Sequence, residues 1–140
     1  TGGPIVEPAP TAPPRRQISP SRIQLNQVLL KVAHTQASRL NQSYARRQQL
    51  EKETGRIKQK IKSIGLRPAV TPEERRKKEE DLKKQRSLLA EATKKYMKAL
   101  EGEREARDIL RRVQETHAAV KKDPTRIEKE LDEWTRAFQM

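Results

Sequence analysis

The chain of 140 residues contains no cysteine, so disulfides and thiolate metal sites are both excluded. Aromatic residues are 3% and hydrophobic residues 32%, against about 45–50% apolar, Gly counted, in an ordinary globular domain. That is too little to wrap a compact core. The longest strongly apolar run is Val28-Leu29-Leu30, far short of the roughly 20 residues of a membrane-spanning helix. Gly-rich phosphate loops, nucleophile elbows and carboxylate pairs in apolar surroundings are missing. The two histidines, His34 and His117, are far apart and lack the helical i,i+4 spacing of a metal site. The expectation is a protein that is not an enzyme and has no cofactor, metal, small-molecule substrate or membrane contact.

What the chain has instead is charge. Charged residues make up 36% and the net charge is +13. Between Ser19 and Arg67 stand eleven cations (Arg22, Lys31, Arg39, Arg46, Arg47, Lys52, Arg56, Lys58, Lys60, Lys62, Arg67) against two acids, Glu51 and Glu53. From Pro68 to Lys122 the balance falls to +5, sixteen basic against eleven acidic, and from Asp123 on it is −2. An excess this one-sided must be screened or matched by phosphates, acidic protein surfaces or anionic headgroups.

The remaining residues recur at helical spacing, and three helix starts can be read directly. Ser19-Pro20, Thr71-Pro72 and Asp123-Pro124 each put a capping side chain before a proline. Thr71 also has Glu74 three residues on, which completes a capping box. At Gly65 a left-handed stop is expected, with Leu66 folding back on Ile61. The chain thus divides into a Pro-rich extended arm over 1–18, a long basic helix over 19–64, a turn over 65–71, a long charged helix over 72–122 and a short amphipathic helix over 123–140. Five of the nine prolines fall in the arm, where polyproline-like extension is favoured.

In the first helix a seam runs Leu29, Val32, Gln36, Leu40, Ser43, Arg47, Leu50, Thr54, Ile57, Ile61, Ile64. In the second it runs Leu82, Gln85, Leu89, Ala92, Tyr96, Ala99, Glu103, Ala106, Leu110, Val113, His117, Val120. Steps of three and four mark a coiled coil, and small residues at 92, 99 and 106 permit close approach. Gly55 costs about 1 kcal/mol relative to Ala in a helix interior. The predicted fold class is all-α: an elongated antiparallel helical hairpin, with a homodimeric coiled coil as the rival arrangement.

A turn centred near Pro68 sets residue i opposite 136 minus i. Ile57, Ile61 and Ile64 would then face the charged start of the second helix, each leaving about 1.5–3 kcal/mol of burial unrealised. With Leu66 they are expected to meet a partner at the tip. Ile127, Leu131, Trp134 and Phe138 fall at i, i+4, i+7 and i+11, giving a second protein-docking face or a helix that folds back on the hairpin.

The charge asymmetry points to a structural component of a ribonucleoprotein such as a ribosome. Arg15, Arg16, Arg39, Arg46, Arg47, Lys52, Arg56, Lys58, Lys60, Lys62 and Arg67 would lie along RNA phosphates without reading bases, and neighbouring protein subunits would take the apolar faces. The alternative is a coiled-coil scaffold or linker docking on an acidic protein surface. Thr1 in place of Met fits a trimmed or processed N-terminus. An intracellular setting is expected, with a mitochondrial or other organellar assembly favoured over nucleus or cytoplasm.

Overall fold

The computed structural model describes residues 19–139; the Pro-rich arm, with Arg15 and Arg16, lies outside the described residues. Regular structure within them is entirely helical: α1 (Pro20–Gly65), α2 (Pro72–Lys122), a 3-10 turn (Pro124–Arg126) and α3 (Ile127–Ala137). None of these helices is long and apolar enough to cross a membrane.

The starts of α1 and α2 form where their capping residues stand, whereas Asp123 caps the 3-10 turn that leads into α3. Ser19 Oγ accepts from the Arg22 amide at 3.2 Å. Thr71 Oγ1 accepts from the Glu74 amide at 3.1 Å while the Glu74 carboxylate accepts from the Thr71 amide at 3.3 Å, so both halves of the box are made. Asp123 Oδ1 accepts from the Thr125 amide and hydroxyl. These bonds hold the Asp123 carboxyl below its usual range, the hydroxyl contributing most.

The end of α1 differs from expectation. Gly65 is not left-handed, since no glycine among the described residues has positive φ, and Leu66 is 77% exposed instead of folded onto Ile61. The last turn tightens instead: Leu66 N donates to the Lys62 and Ser63 carbonyls, and Arg67 N to Ile64 O. Pro68 then stops the helix, having no amide to donate. Two carbonyls left over are capped from the next helix, because Lys78 Nζ donates to Gly65 O at 3.0 Å and to Arg67 O at 2.9 Å. A cation at a helix C-terminus also complements the macrodipole. Arg75 donates to Val70 O, and Arg67 pairs with Asp81 at 2.8 Å. The connection therefore lies along the first turns of α2.

That course resets the register. Arg39–Glu105, Arg47–Glu103, Glu51–Tyr96 and Arg67–Asp81 pair residues whose numbers add to 144, 150, 147 and 148, not 136. The six residues between helices climb beside α2 rather than turning symmetrically, so the charged opening turns of α2 lie beyond the end of α1. Ile57 and Ile64 come level with the Leu82–Leu89 stretch and are buried, each 8% exposed, and Ile61 is half-buried. The expectation that these isoleucines are left wet is overturned by the register.

The chain resolves into two compact units, each containing parts of α1 and α2. In the unit spanning Ala33–Arg112 the two long helices pack antiparallel, as a hairpin requires. Its buried side chains follow the seams: Gln36, Leu50, Ile57 and Ile64 from α1, and Ala92, Ala99, Glu103 and Ala106 from α2. In the other unit, whose described residues are 19–32 and 113–139, α3 joins the ends of both helices. Leu25 and Leu29 are fully buried there, with Val32, Val113, Val120, Ile127 and Trp134 beside them. The Trp134 indole N–H donates to Thr116 Oγ1 at 3.1 Å, and its ring stacks on Phe138 with centroids 5.4 Å apart. A third helix widens the buried face, so Thr116 is buried and its neighbour His117, the expected seam residue, is exposed.

Gly55 is exposed, and a Cβ added there would meet nothing within 4 Å. Gly55→Ala should stabilise the protein by about 0.8–1 kcal/mol through helix propensity alone, read as a rise in urea midpoint at unchanged slope. Acid gives a second test. The hydrogen bond from Arg67 holds the Asp81 carboxyl below its ordinary 3.8. A depressed carboxylate contributes stability above its unfolded value that is lost as pH falls through its folded value. The protection factors of the Leu66 and Arg67 amides, corrected for the intrinsic exchange rate at each pH, should therefore fall below pH 3.8, and Asp81→Asn should show the reduced protection at neutral pH.

Candidate anion interface

The cations of α1 divide by where the helix turns them. Arg47 occupies a seam position and points inward, its side chain 21% exposed. Its Nε donates to Glu103 Oε2, and its Nη1 lies 3.2 Å from Glu51 Oε1. The guanidinium sits 5.2 Å from the Tyr44 ring centroid, within cation–π range. Glu103, 2% exposed, is approached at its other oxygen by Arg107 at 3.6 Å. Tyr96 bonds Glu51, and Gln48 donates to the Tyr44 hydroxyl. Among the described residues no buried side-chain polar atom lacks a partner, which is what allows two charges to sit in a narrow seam. The Glu103 bond, then Tyr96, raises the Arg47 pKa well above the ordinary arginine value. This arginine is a structural cation.

The helices are close here because α2 presents small residues. A Cβ on Gly102 would lie 2.8 Å from Ser43 Oγ, so the backbone of α2 approaches the α1 side chain directly. One residue before Arg47, Arg46 is rotated outward. With Gln42 and Ser43 of α1 and Lys95, Lys98 and Ala99 of α2 it lines a groove of about 440 Å³. Three cations from two helices face this space, and no carboxylate lines it. Lys95 and Lys98 also edge a neighbouring hollow of about 550 Å³ with Lys94, Met97, Leu100, Glu101 and Arg104.

Of the cations expected to lie on RNA, Arg39, Arg47 and Arg67 are paired within the chain, to Glu105, Glu103 and Asp81. Arg46, Lys52, Arg56, Lys58, Lys60 and Lys62 are exposed and make no ion pair with a described residue. Lys52, Arg56 and Lys60 follow one another at i, i+4 and i+8, an arrangement that costs helix stability unless an anion offsets it. Lys95 and Lys98 escaped the sequence reading because a 136-minus-i register sets Arg46 against Ala90 rather than against them. Their one visible signal is that each precedes a seam residue, Tyr96 and Ala99, and so flanks the seam.

The expected protein-docking residues also divide. Ile57, Ile64, Ile127 and Trp134 are buried, Ile61, Leu131 and Phe138 half-buried, and Leu66 alone is open, joined by Val70 at 76% exposure. The docked α3 is thus a helix folded back on its own chain. No family model, curated protein or solved structure matches this chain.

Removing the charge at Glu103 should be costly where removing a surface acid is not. Glu103→Gln leaves Arg47 only the exposed Glu51 as an anion and should lower the thermal midpoint by roughly 5–10 °C. Glu101→Gln, on the exposed face, should move it by no more than about 2 °C. Circular dichroism melts of the two variants give the comparison.

Proposed function

We propose that this chain is a non-enzymatic structural component of a ribonucleoprotein assembly, resting on RNA phosphates through the outward cations of α1. The observation that carries this reading is the exposed set Arg46, Lys52, Arg56, Lys58, Lys60 and Lys62, left without carboxylate partners in the described chain. Acidic residues are plentiful on α2, yet those that reach across the hairpin, Asp81, Glu103 and Glu105, are taken by Arg67, Arg47 and Arg39. A helix meant only to pair with its neighbour would carry both signs along its flanks. Scarce aromatics leave no platform for splayed bases, so contact is with the backbone. The setting proposed is a large, ribosome-like assembly, with an organelle such as the mitochondrion as its place.

A second reading, a scaffold subunit docking on an acidic protein surface, is supported by Leu66 and Val70. Both are about three-quarters exposed, on a connection whose carbonyls are held by Lys78 and Arg75. In the ribonucleoprotein reading the same two side chains contact a neighbouring subunit. The readings separate in one titration of duplex RNA against salt. Six phosphate contacts give a log–log slope of roughly −5, and Lys52→Gln/Arg56→Gln/Lys60→Gln should flatten it by about two to three. Absence of binding by the folded chain at low salt sinks the RNA reading and leaves the scaffold, for which Leu66→Ser/Val70→Ser is the informative variant.

A further inference from the structure

Resting on the RNA-backbone reading, we infer that the groove between Arg46 and the Lys95–Lys98 pair is a defined phosphodiester seat, distinct from the diffuse attraction of the outer α1 stripe. Three features of its lining support this. Cations converge on one space from two helices: Arg46 from one side, and from the other Lys95 and Lys98, neighbours at i,i+3 on one helix face. The remaining polar lining, Gln42 and Ser43, supplies neutral donors that can complete the shell of a phosphate oxygen. No carboxylate competes within the groove, and Glu51 and Glu103 are engaged by Arg47.

The seat has a track leading from it. Lys95 and Lys98 are shared with the adjoining hollow, where Lys94 and Arg104 are added against one carboxylate, Glu101, so a second phosphate of the same strand can be met on the far side of the same two lysines. Neither lining contains an aromatic ring, and a base therefore has nothing to stack on. Recognition is by backbone charge and spacing. The inner network positions the groove: Arg47 and Glu103 fix the register, while the Gly102–Ser43 approach brings Arg46 across to α2.

The test compares two triple variants of the full chain that each remove three positive charges. Arg46→Gln/Lys95→Gln/Lys98→Gln empties the groove, whereas Lys52→Gln/Arg56→Gln/Lys60→Gln removes the outer stripe. Affinity for two mixed-sequence duplex RNAs of equal length is read by fluorescence anisotropy at several salt concentrations, with helix content checked by circular dichroism. The groove variant is expected to lose at least ten-fold more affinity than the stripe variant, and Arg46→Lys/Lys95→Arg/Lys98→Arg to retain wild-type binding. Equal losses from the two neutralised variants overturn the seat while leaving the RNA reading standing, and so does a more than ten-fold preference between the duplexes. If the wild-type chain binds neither duplex but is captured by vesicles containing phosphatidylserine, both the seat and the reading beneath it fail.

Discussion

The ion pair between Arg47 and Glu103 is the contact on which the rest of the hairpin depends. The middle of the seam is mostly small or polar, with Ser43, Thr54, Ala92, Ala99 and Ala106 contributing little area, so hydrophobic burial there discriminates weakly between registers. A one-heptad slip would put a small residue opposite a small residue again. It would also strand a nearly buried carboxylate, which is costly in a way that loss of an Ala contact is not. Charge placed in a seam thus sets alignment more than it adds stability.

The same partition explains how one helix carries so much positive charge. Cations facing α2 are neutralised by Glu103, Glu105 and Asp81, which turns them into cross-helix ties. Those facing away keep their charge for an external anion. Arg46 and Arg47 show the division at neighbouring positions: a rotation of about 100° separates a residue that holds the hairpin together from one that lines the groove. Fold and proposed function therefore draw on the same composition without competing for the same side chains.

Much of this was legible in the sequence, and the part that was not has a common cause. Capping is local chemistry, so Ser19, Thr71, Glu74 and Asp123 announced the helix starts. Periodicity is local too, and every residue assigned to the α1 seam is buried or half-buried. Register is not local. It followed from Lys78 reaching back to Gly65 and Arg67, a contact that no capping rule for α1 contains. From that one displacement came the misplaced tip isoleucines and the missed lysines of the groove. His117 was misassigned for a related reason, since two-helix periodicity cannot anticipate a third helix whose Trp134 recruits Thr116.

The closure of α1 by Lys78 also has a temporal side. The carbonyls of Gly65 and Arg67 are completed by a residue made later, after the connection and the Thr71 capping box. Contacts between Arg67 and Asp81 or Lys78 close short loops, whose entropic cost is smaller than that of the Arg47–Glu103 or Arg39–Glu105 pair. Folding is therefore biased to begin at the bend and zip away from it, and of the alignments the bend permits, the Arg47–Glu103 pair locks the one that leaves no buried charge unpaired.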